Sequence, residues 1–453
     1  MKKHDSYKNI DLPWLNNIPS SWDIVRNKNI FTEMKTEVGD SSSDYTLLSL
    51  TINGIIPRDV ESGKGKFPTS FDKYKVIKPG YMVFCLFDID ETPRTVGYSE
   101  LDGMLTGAYS VFDVHNINPK YAYYYYLALD NIKALKPLYT GLRKTIKTDV
   151  FLSTKMPVPP DAEQDKIVHY LDWQVSRVNK LIKDKKRQIS LLDEQKKTII
   201  NKVVRQGITS AEPLKESGIF WMGQIPESWE PIKIKWLFTE DSARNTDNEA
   251  ELLTFSRRKG LVKFSEITDK APSASDLSKY RLVKPGQLLE NRMQAWNGMF
   301  ICVDKDGCVS PDYSVFNPNM DRHVNVKFYE YVFRSSLQVE QFANASKGLG
   351  TGFNRLYTPA FGSIYTVYPP AEQQDAIVEY LDRTCAILDR AVERKEQQII
   401  ALKELKELIT FDAVMGKIDV REIDVPEFEF IADTDSELGE SDEDAAENMG
   451  EEV

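Results

Sequence analysis

Cysteine and histidine are scarce in this chain: four of each stand among 453 residues, scattered, with no Cys-x-x-Cys or His-x-x-x-His pair. That argues against a disulfide scaffold and against a structural zinc site. No apolar run approaches the ~18 residues of a membrane span, and the opening stretch is polar where a secretory signal is apolar. A cytoplasmic chain with no membrane contact is the expectation. Nor is there a P-loop, since GKGK at 63–66 lacks the spacing. GLGTG at 348–352 follows a helical pattern instead of a strand, which removes the context of a dinucleotide fingerprint. VPPD at 158–161 and YPPA at 368–371 lack the leading Asn or Asp and the aromatic of an amino-methyltransferase motif, and their prolines read as helix-start punctuation.

Basic charge is in deficit overall, at a net −11, but the deficit is local. Residues 419–453 hold fifteen Asp or Glu against one Arg, so this segment alone carries −14 and everything before it sums to +3. Lacking apolar periodicity, 419–453 reads as an acidic, disordered tail. A sharper alternative is a tail that competes with DNA phosphates for a basic surface.

What the chain does have is a duplication. WLNNIPSSW at 14–22 recurs as WMGQIPESW at 221–229, with five of nine residues identical. KYKVIKPG at 73–80 matches KYRLVKPG at 279–286, and YSVF recurs at 109–112 and 313–316. PPDAEQDKIVHYLD at 159–172 matches PPAEQQDAIVEYLD at 369–382 in nine of fourteen positions. The order is kept at offsets of 204 to 210, so two collinear copies make up the chain.

Each copy ends in a heptad-spaced stretch. Copy one runs through Leu171, Val175, Val178, Ile182, Lys185, Ile189, Leu192, Lys196, Ile199 and Val203. Adding 210 gives Leu381, Cys385, Leu388, Val392, Lys395, Ile399, Leu402, Lys406, Ile409 and Ala413, with lysine at the same two kinds of position. This is a coiled-coil seam. Asp161 with Gln164 suggests a capping box, and Gly207 and Gly416 mark stops. Each helix should run about 40 to 45 residues, roughly 60 to 65 Å. Helix one leaves the first globular region and enters the second, so an internal antiparallel partner with pseudo-two-fold symmetry is expected.

The globular regions, roughly 11–158 and 218–368, read as mixed α and β. Strand-like runs fall at 45–50, 81–87 and 109–112, repeated at 251–256, 287–291 and 313–316. Helical patterns follow at 119–135 and 326–344. The fold class is α+β: two homologous mixed modules, separated in the chain by two long helices that form an antiparallel intramolecular coiled coil.

Basic and amide side chains gather in loops at corresponding places. Copy one offers Arg143, Lys144 and Lys147; copy two offers Arg257, Arg258, Asn291, Arg292, Asn354 and Arg355. Arg and Asn pair bidentately with guanine and adenine in the major groove, while Lys serves mostly phosphates. Frame residues repeat between the copies and loop residues do not. That pattern suits two modules on one frame, each reading a different half of a non-palindromic site.

The arrangement resembles the specificity subunit of type I restriction-modification systems over residues 11–418. The paired Ile-Pro-x-x-Trp segments, Lys-Pro-Gly turns, Pro-Pro-x-x-x-Gln-x-x-Ile-Val-x-Tyr-Leu segments and heptad helices carry the likeness. It implies target-recognition domains at 1–158 and 208–368, conserved long helices at 159–207 and 369–418, and a tail at 419–453 that departs from the family pattern. It implies partners: double-stranded DNA, two modification subunits and restriction/translocase subunits. S-adenosylmethionine, ATP and Mg would belong to those partners, with no cofactor and no catalysis in this chain. Two rivals differ in class: a specificity subunit of a methylation-only complex or an orphan competitor, separable by neighbouring genes, and a coiled-coil scaffold without DNA function. Under the seam reading, replacing Ile189 and Leu192 with Asp should open the helix pair and abolish partner assembly in pull-down. Unchanged assembly would refute the seam.

Overall fold

A computed structural model describes residues 2–58, 70–139, 141, 144–209, 212–256, 260–267, 276–348 and 354–433. The chain divides into two compact units, one of the described residues up to 187 together with those from 395 onward, the other of residues 188–394.

In the first unit, helix α1 (Pro119–Asn131) is started by Asn118, whose side chain accepts from the Lys120 and Tyr121 amides with Pro at the first helical position. The short α2 (Thr148–Ser153) precedes the 46-residue α3 (Asp161–Gln206). In the second unit, α4 (Val326–Phe333) and α5 (Ser336–Ala345) replace the single helix expected over 326–344. The break falls at Ser335, which takes extended backbone torsions and turns its hydroxyl back onto the Val332 carbonyl at 2.5 Å. Then come α6 (Thr358–Ser363) and the 44-residue α7 (Ala371–Val414).

Each unit carries the same four-stranded antiparallel sheet. In the first the order is Phe31–Met34, Ser110–Val114, Met82–Phe84, Val96–Tyr98; in the second it is Phe238–Asp241, Tyr313–Pro318, Leu288–Asn291, Phe300–Cys302. Registers repeat too: Phe112 pairs with Met82 as Phe316 pairs with Leu288. Behind each sheet lies an aromatic core, formed by Phe31, Phe84, Phe112, Tyr126 and Phe151 in one unit and by Phe300, Phe316, Phe333, Phe342 and Phe361 in the other. Ring centroids such as Phe84 to Phe151 at 4.8 Å are in the favourable range for aromatic pairs.

Within each unit the two long helices run antiparallel. In the first, Lys406 Nζ donates to Asn179 Oδ1 at 3.2 Å; in the second, Lys196 Nζ donates to Asp389 Oδ1 at 2.7 Å. These are the same contact in the two copies, because an offset of 210 carries 196 to 406 and 179 to 389. The second lysine of each heptad series, Lys196 and Lys406, therefore meets a polar partner across the seam. Leu171, Val178, Ile182, Ile189, Leu381 and Ile399 are buried, and Leu192, Ile199, Leu388, Val392, Leu402 and Ile409 are half-buried.

The module-to-helix joints repeat as well. Trp22, fully buried, donates from Nε1 to Glu163 Oε1 at 2.9 Å at the start of α3 and packs on Gly416 at the end of α7. Trp229 donates to Gln373 Oε1 at 2.6 Å at the start of α7 and packs on Gly207 at the end of α3. The capping-box glutamine does other work than expected. Gln164 accepts from the Asn118 amide at 2.7 Å and donates to the Pro159 carbonyl at 2.8 Å; Gln374 does the same with Asn325 and Pro369. Each glutamine thus locks a long helix to the start of α1 or α4.

The reading of 419–453 as a disordered tail does not hold for 419–433. Asp419 donates its amide to the Lys2 carbonyl at 2.9 Å, Val420 is buried, and Ile423 and Val425 pack on the first unit's core. Alternating apolar residues supply enough burial to order the segment against its acidity. Residues 434–453 lie outside the described residues.

Gly207 (φ +76) and Gly416 (φ +67) both end helices in the left-handed region, but a Cβ on Gly416 would sit 2.5 Å from Pro19 Cδ whereas one on Gly207 meets nothing nearer than 3.8 Å. Gly207→Ala should therefore destabilise by about 1–2 kcal/mol, the left-handed penalty alone. Gly416→Ala should cost more, since the steric term adds. Urea unfolding midpoints of the two variants test the order, and equal losses would contradict it.

Candidate nucleic-acid interface

Lys144 and Lys147 lie on the segment that leads into α2, Asn354 and Arg355 on the segment that leads into α6, and Asn291 and Arg292 at the end of strand Leu288–Asn291. The two copies build this place alike: the Ile146 amide donates to the Leu86 carbonyl at 2.8 Å, and the Leu356 amide to the Arg292 carbonyl at 3.1 Å. Onto this shared backbone the copies hang different side chains.

In the second unit, Arg292 and Arg355 converge on one loop. Arg292 donates from Nε to the Asp312 carbonyl at 3.0 Å and from Nη2 to the Pro311 carbonyl at 2.5 Å, while Arg355 pairs with Asp312 Oδ1 at 3.3 Å. Two of the five guanidinium donors of Arg292 thereby fix its plane. Asn354 is half-buried beside Arg355. Asn291 is not a loop residue. It ends strand Leu288–Asn291, is 7% exposed, and its Oδ1 accepts the Met293 amide at 3.1 Å, so it shapes the turn. Trp296, partly exposed, donates to the Met293 carbonyl at 2.8 Å on the same turn. Arg257 and Arg258 lie outside the described residues.

The first unit sets acid against its cations. Lys144, at φ +44, pairs with Glu91 at 3.1 Å and Asp90 at 3.4 Å, and Asp90 also receives the Tyr139 hydroxyl at 3.1 Å and faces Lys136 at 3.4 Å. Desolvation would raise the half-buried Asp90 carboxyl, but these donors outweigh it and hold the group below its ordinary range. Lys147 is exposed at the N-cap of α2, and Arg143 lies outside the described residues. Sequence reasoning missed these acidic partners; the DIDE run at 88–91 was the available signal. It also missed Lys235, 5.5 Å from the exposed Trp236 ring, and Lys233, 5.3 Å from Tyr365. The alternating KIKW at 233–236 marks that basic and aromatic strip.

Glu290 stands where copy one has Phe84. It is fully buried, and among the described residues neither carboxylate oxygen finds a hydrogen-bond partner. Burial pushes its carboxyl from an ordinary 4.5 up to about 8, with Arg292 pulling the other way. Near neutrality the group is largely a carboxylic acid at the base of the Arg292 turn.

Among the described residues no group of three or more His, Cys, Asp or Glu is placed to hold a metal, and no helix is long and apolar enough to cross a membrane.

Two copies of one α+β module, each packed on antiparallel long helices and differing in the side chains of equivalent loops, define a duplicated, helix-framed α+β protein. Residues 98–191, from the last residue of strand Val96–Tyr98 through α1, α2 and about two thirds of α3, match the type I restriction modification DNA specificity domain. The chain resembles the specificity subunits of type I restriction-modification systems. Two relatives come from Methanocaldococcus jannaschii. The type I restriction enzyme MjaVIII specificity subunit is 24% identical over 60% of this chain and 64% of its own length. The putative type I restriction enzyme MjaX specificity subunit is 24% identical over 59% of this chain and 60% of its own. The chain thus spans less than two thirds of either relative. A chain solved in work on complex assembly and conformational transition of the type I R-M system shares the fold, with TM-score 0.61, 15% identity, and coverage of 88% of this chain and 99% of that one.

The Glu290 carboxyl binds its proton more tightly folded than unfolded. The unfolded chain releases it near 4.5 and the folded chain near 8, so this group's contribution to stability is complete below the lower value and is lost as pH rises through the higher. The unfolding free energy should fall between about pH 5 and pH 8 relative to that of Glu290→Gln. Parallel pH profiles for the two proteins would show that the carboxyl is already ionised.

Proposed function

We propose that this chain is the sequence-specific DNA-binding subunit of a type I restriction-modification complex, cytoplasmic and itself noncatalytic. Residues 1–158 and 208–368 act as target-recognition domains, each reading half of a bipartite, asymmetric site. The observation that carries this reading is the division of labour between the copies. Joints such as Trp22 with Glu163 and Trp229 with Gln373 recur, while the equivalent loops present Asp90, Glu91 and Lys144 in one copy and Arg292, Trp296 and Arg355 in the other. A protein recognising one symmetric target would repeat its loops with its frame.

The helices at 159–207 and 369–418 scaffold two modification subunits and the restriction/translocase subunits. Supporting this, the helices expose Leu181, Leu191, Ile387, Ile400, Leu405 and Leu408 outside their seam. Apolar residues in such number on solvent faces of helices fit burial against a partner better than solvation. S-adenosylmethionine, ATP and Mg act in those partners. DNA affinity should be strongly salt-dependent, because phosphate contacts release counterions.

In the assembled methyltransferase, Arg355→Ala should weaken binding to the cognate site by roughly 1–3 kcal/mol while leaving random DNA nearly unaffected. Equal losses on both would make Arg355 a phosphate contact. Methylome sequencing of cells with and without the chain tests the function itself: an unchanged set of adenine-methylated motifs would overturn it.

A further inference from the structure

Residues 422–433, EIDVPEFEFIAD, lie extended along the face of α3 in the first unit, with no regular secondary structure of their own. Their backbone is read by two buried side chains one helical turn apart. The Ser176 hydroxyl donates to the Glu429 carbonyl at 2.7 Å and accepts from the Ile431 amide at 2.8 Å, and Asn179 Nδ2 donates to the Ile431 carbonyl at 2.8 Å. Side chains are matched as well. The Phe428 ring lies 5.6 Å from the His169 ring, the Phe430 ring 5.6 Å from Lys120 Nζ, and Lys406 bridges Asn179 and Asp433. Main-chain hydrogen bonds for affinity with side-chain contacts for choice are how proteins hold extended peptides.

The second copy lacks this device. At the positions of His169, Ser176 and Asn179 it has Glu379, Ala386 and Asp389; Asp389 keeps the contact with the heptad lysine, here Lys196, but its carboxylate has no amide to donate. The lysine contact at 179 and 389 packs the long helices in both copies; what copy one alone has is the His169 ring, the Ser176 hydroxyl and the Asn179 amide donor, and these meet the strap. Ser176 and Asn179 are 3% and 5% exposed with the strap in place. Without it, their polar groups would turn to another partner or to water.

We propose that Lys120, His169, Ser176, Asn179 and Lys406 form a peptide-binding site for extended segments in which aromatic and acidic residues alternate, and that 422–433 is its resident ligand in cis. A tethered ligand acts at an effective concentration in the millimolar range. A segment of the same chemistry on a partner gains the site only when the strap is displaced, which makes the tail a competitor for a protein surface.

The test uses the full-length chain. Phe428→Ala, Phe430→Ala and Ile431→Pro together remove both rings and the amide that Ser176 accepts, leaving the site intact. Hydrogen exchange over 422–433 reports release of the strap. A fluorescein-labelled peptide of residues 420–433 should then bind the loosened chain saturably, at least about tenfold more tightly than the unsubstituted chain, by anisotropy. Adding Ser176→Ala and Asn179→Ala should abolish that binding. The proposal fails if the released chain binds no better than the unsubstituted one, if the double substitution leaves binding unchanged, or if the three strap substitutions do not release the segment.

Discussion

Everything in this molecule depends on two indoles, each holding the start of one long helix against the end of the other. Trp22 reaches Glu163 at the start of α3 with its N–H and covers Gly416 past the end of α7 with its ring. Trp229 joins the start of α7 to the end of α3 through Gln373 and Gly207. A start can lie beside an end only if the helices run antiparallel, so the joints and the seam specify the same direction twice. Heptads alone tolerate parallel, antiparallel and intermolecular solutions. The joints remove that freedom, and truncating a buried Trp of this kind typically costs about 3–5 kcal/mol. Lys196 and Lys406 add register, because a one-heptad slip would separate them from Asp389 and Asn179.

On this frame, charge is arranged by place more than by amount. The chain is acidic in sum, yet the net acidity is gathered after residue 418, and the candidate loops contain cations whose partners are specific carboxylates. Asp312 and the two carbonyls at 311 and 312 do not neutralise the second unit's arginines so much as aim them: an unfixed Arg loses rotamer freedom on meeting a base, whereas one already held has lost it in folding. In the first unit, Asp90 and Glu91 hold Lys144 more fully, which leaves Lys147 as the exposed cation among the described candidates there. The two units are thus unlike in electrostatics although alike in backbone.

The frame was legible in the amino-acid sequence because its physics is periodic or repeated. Heptads named the seam and the copied Gly residues the helix stops, whereas the joining roles of the copied Trp and Gln residues show only in their contacts. The site was half legible. Arg292 and Arg355 could be picked out by residue type, but Asp312, which brings them together, comes from the turn before strand Tyr313–Pro318 and leaves no local signal. Asn291 was misplaced because one residue separates the end of a strand from a loop, and burial there decides whether an amide faces a ligand or its own turn. The strap was illegible for a different reason: its apolar residues alternate with acids over a dozen positions, and composition averaged over 419–453 conceals them.

Comparing the copies position by position separates these roles further than either copy can alone. A position that repeats answers to a constraint both units share, which is packing or helix direction. A position that differs inside a repeated setting answers to something only one unit does. Glu290 occupies the place of Phe84 in an aromatic core, where an aromatic would bury more surface without an unpaired carboxyl. Its retention cannot be explained by that core's stability. Ser176 and Asn179 depart in the same sense from Ala386 and Asp389. Duplication followed by local divergence therefore leaves an internal control in the chain itself: what folding requires is written twice, and what each half does for a partner is written once.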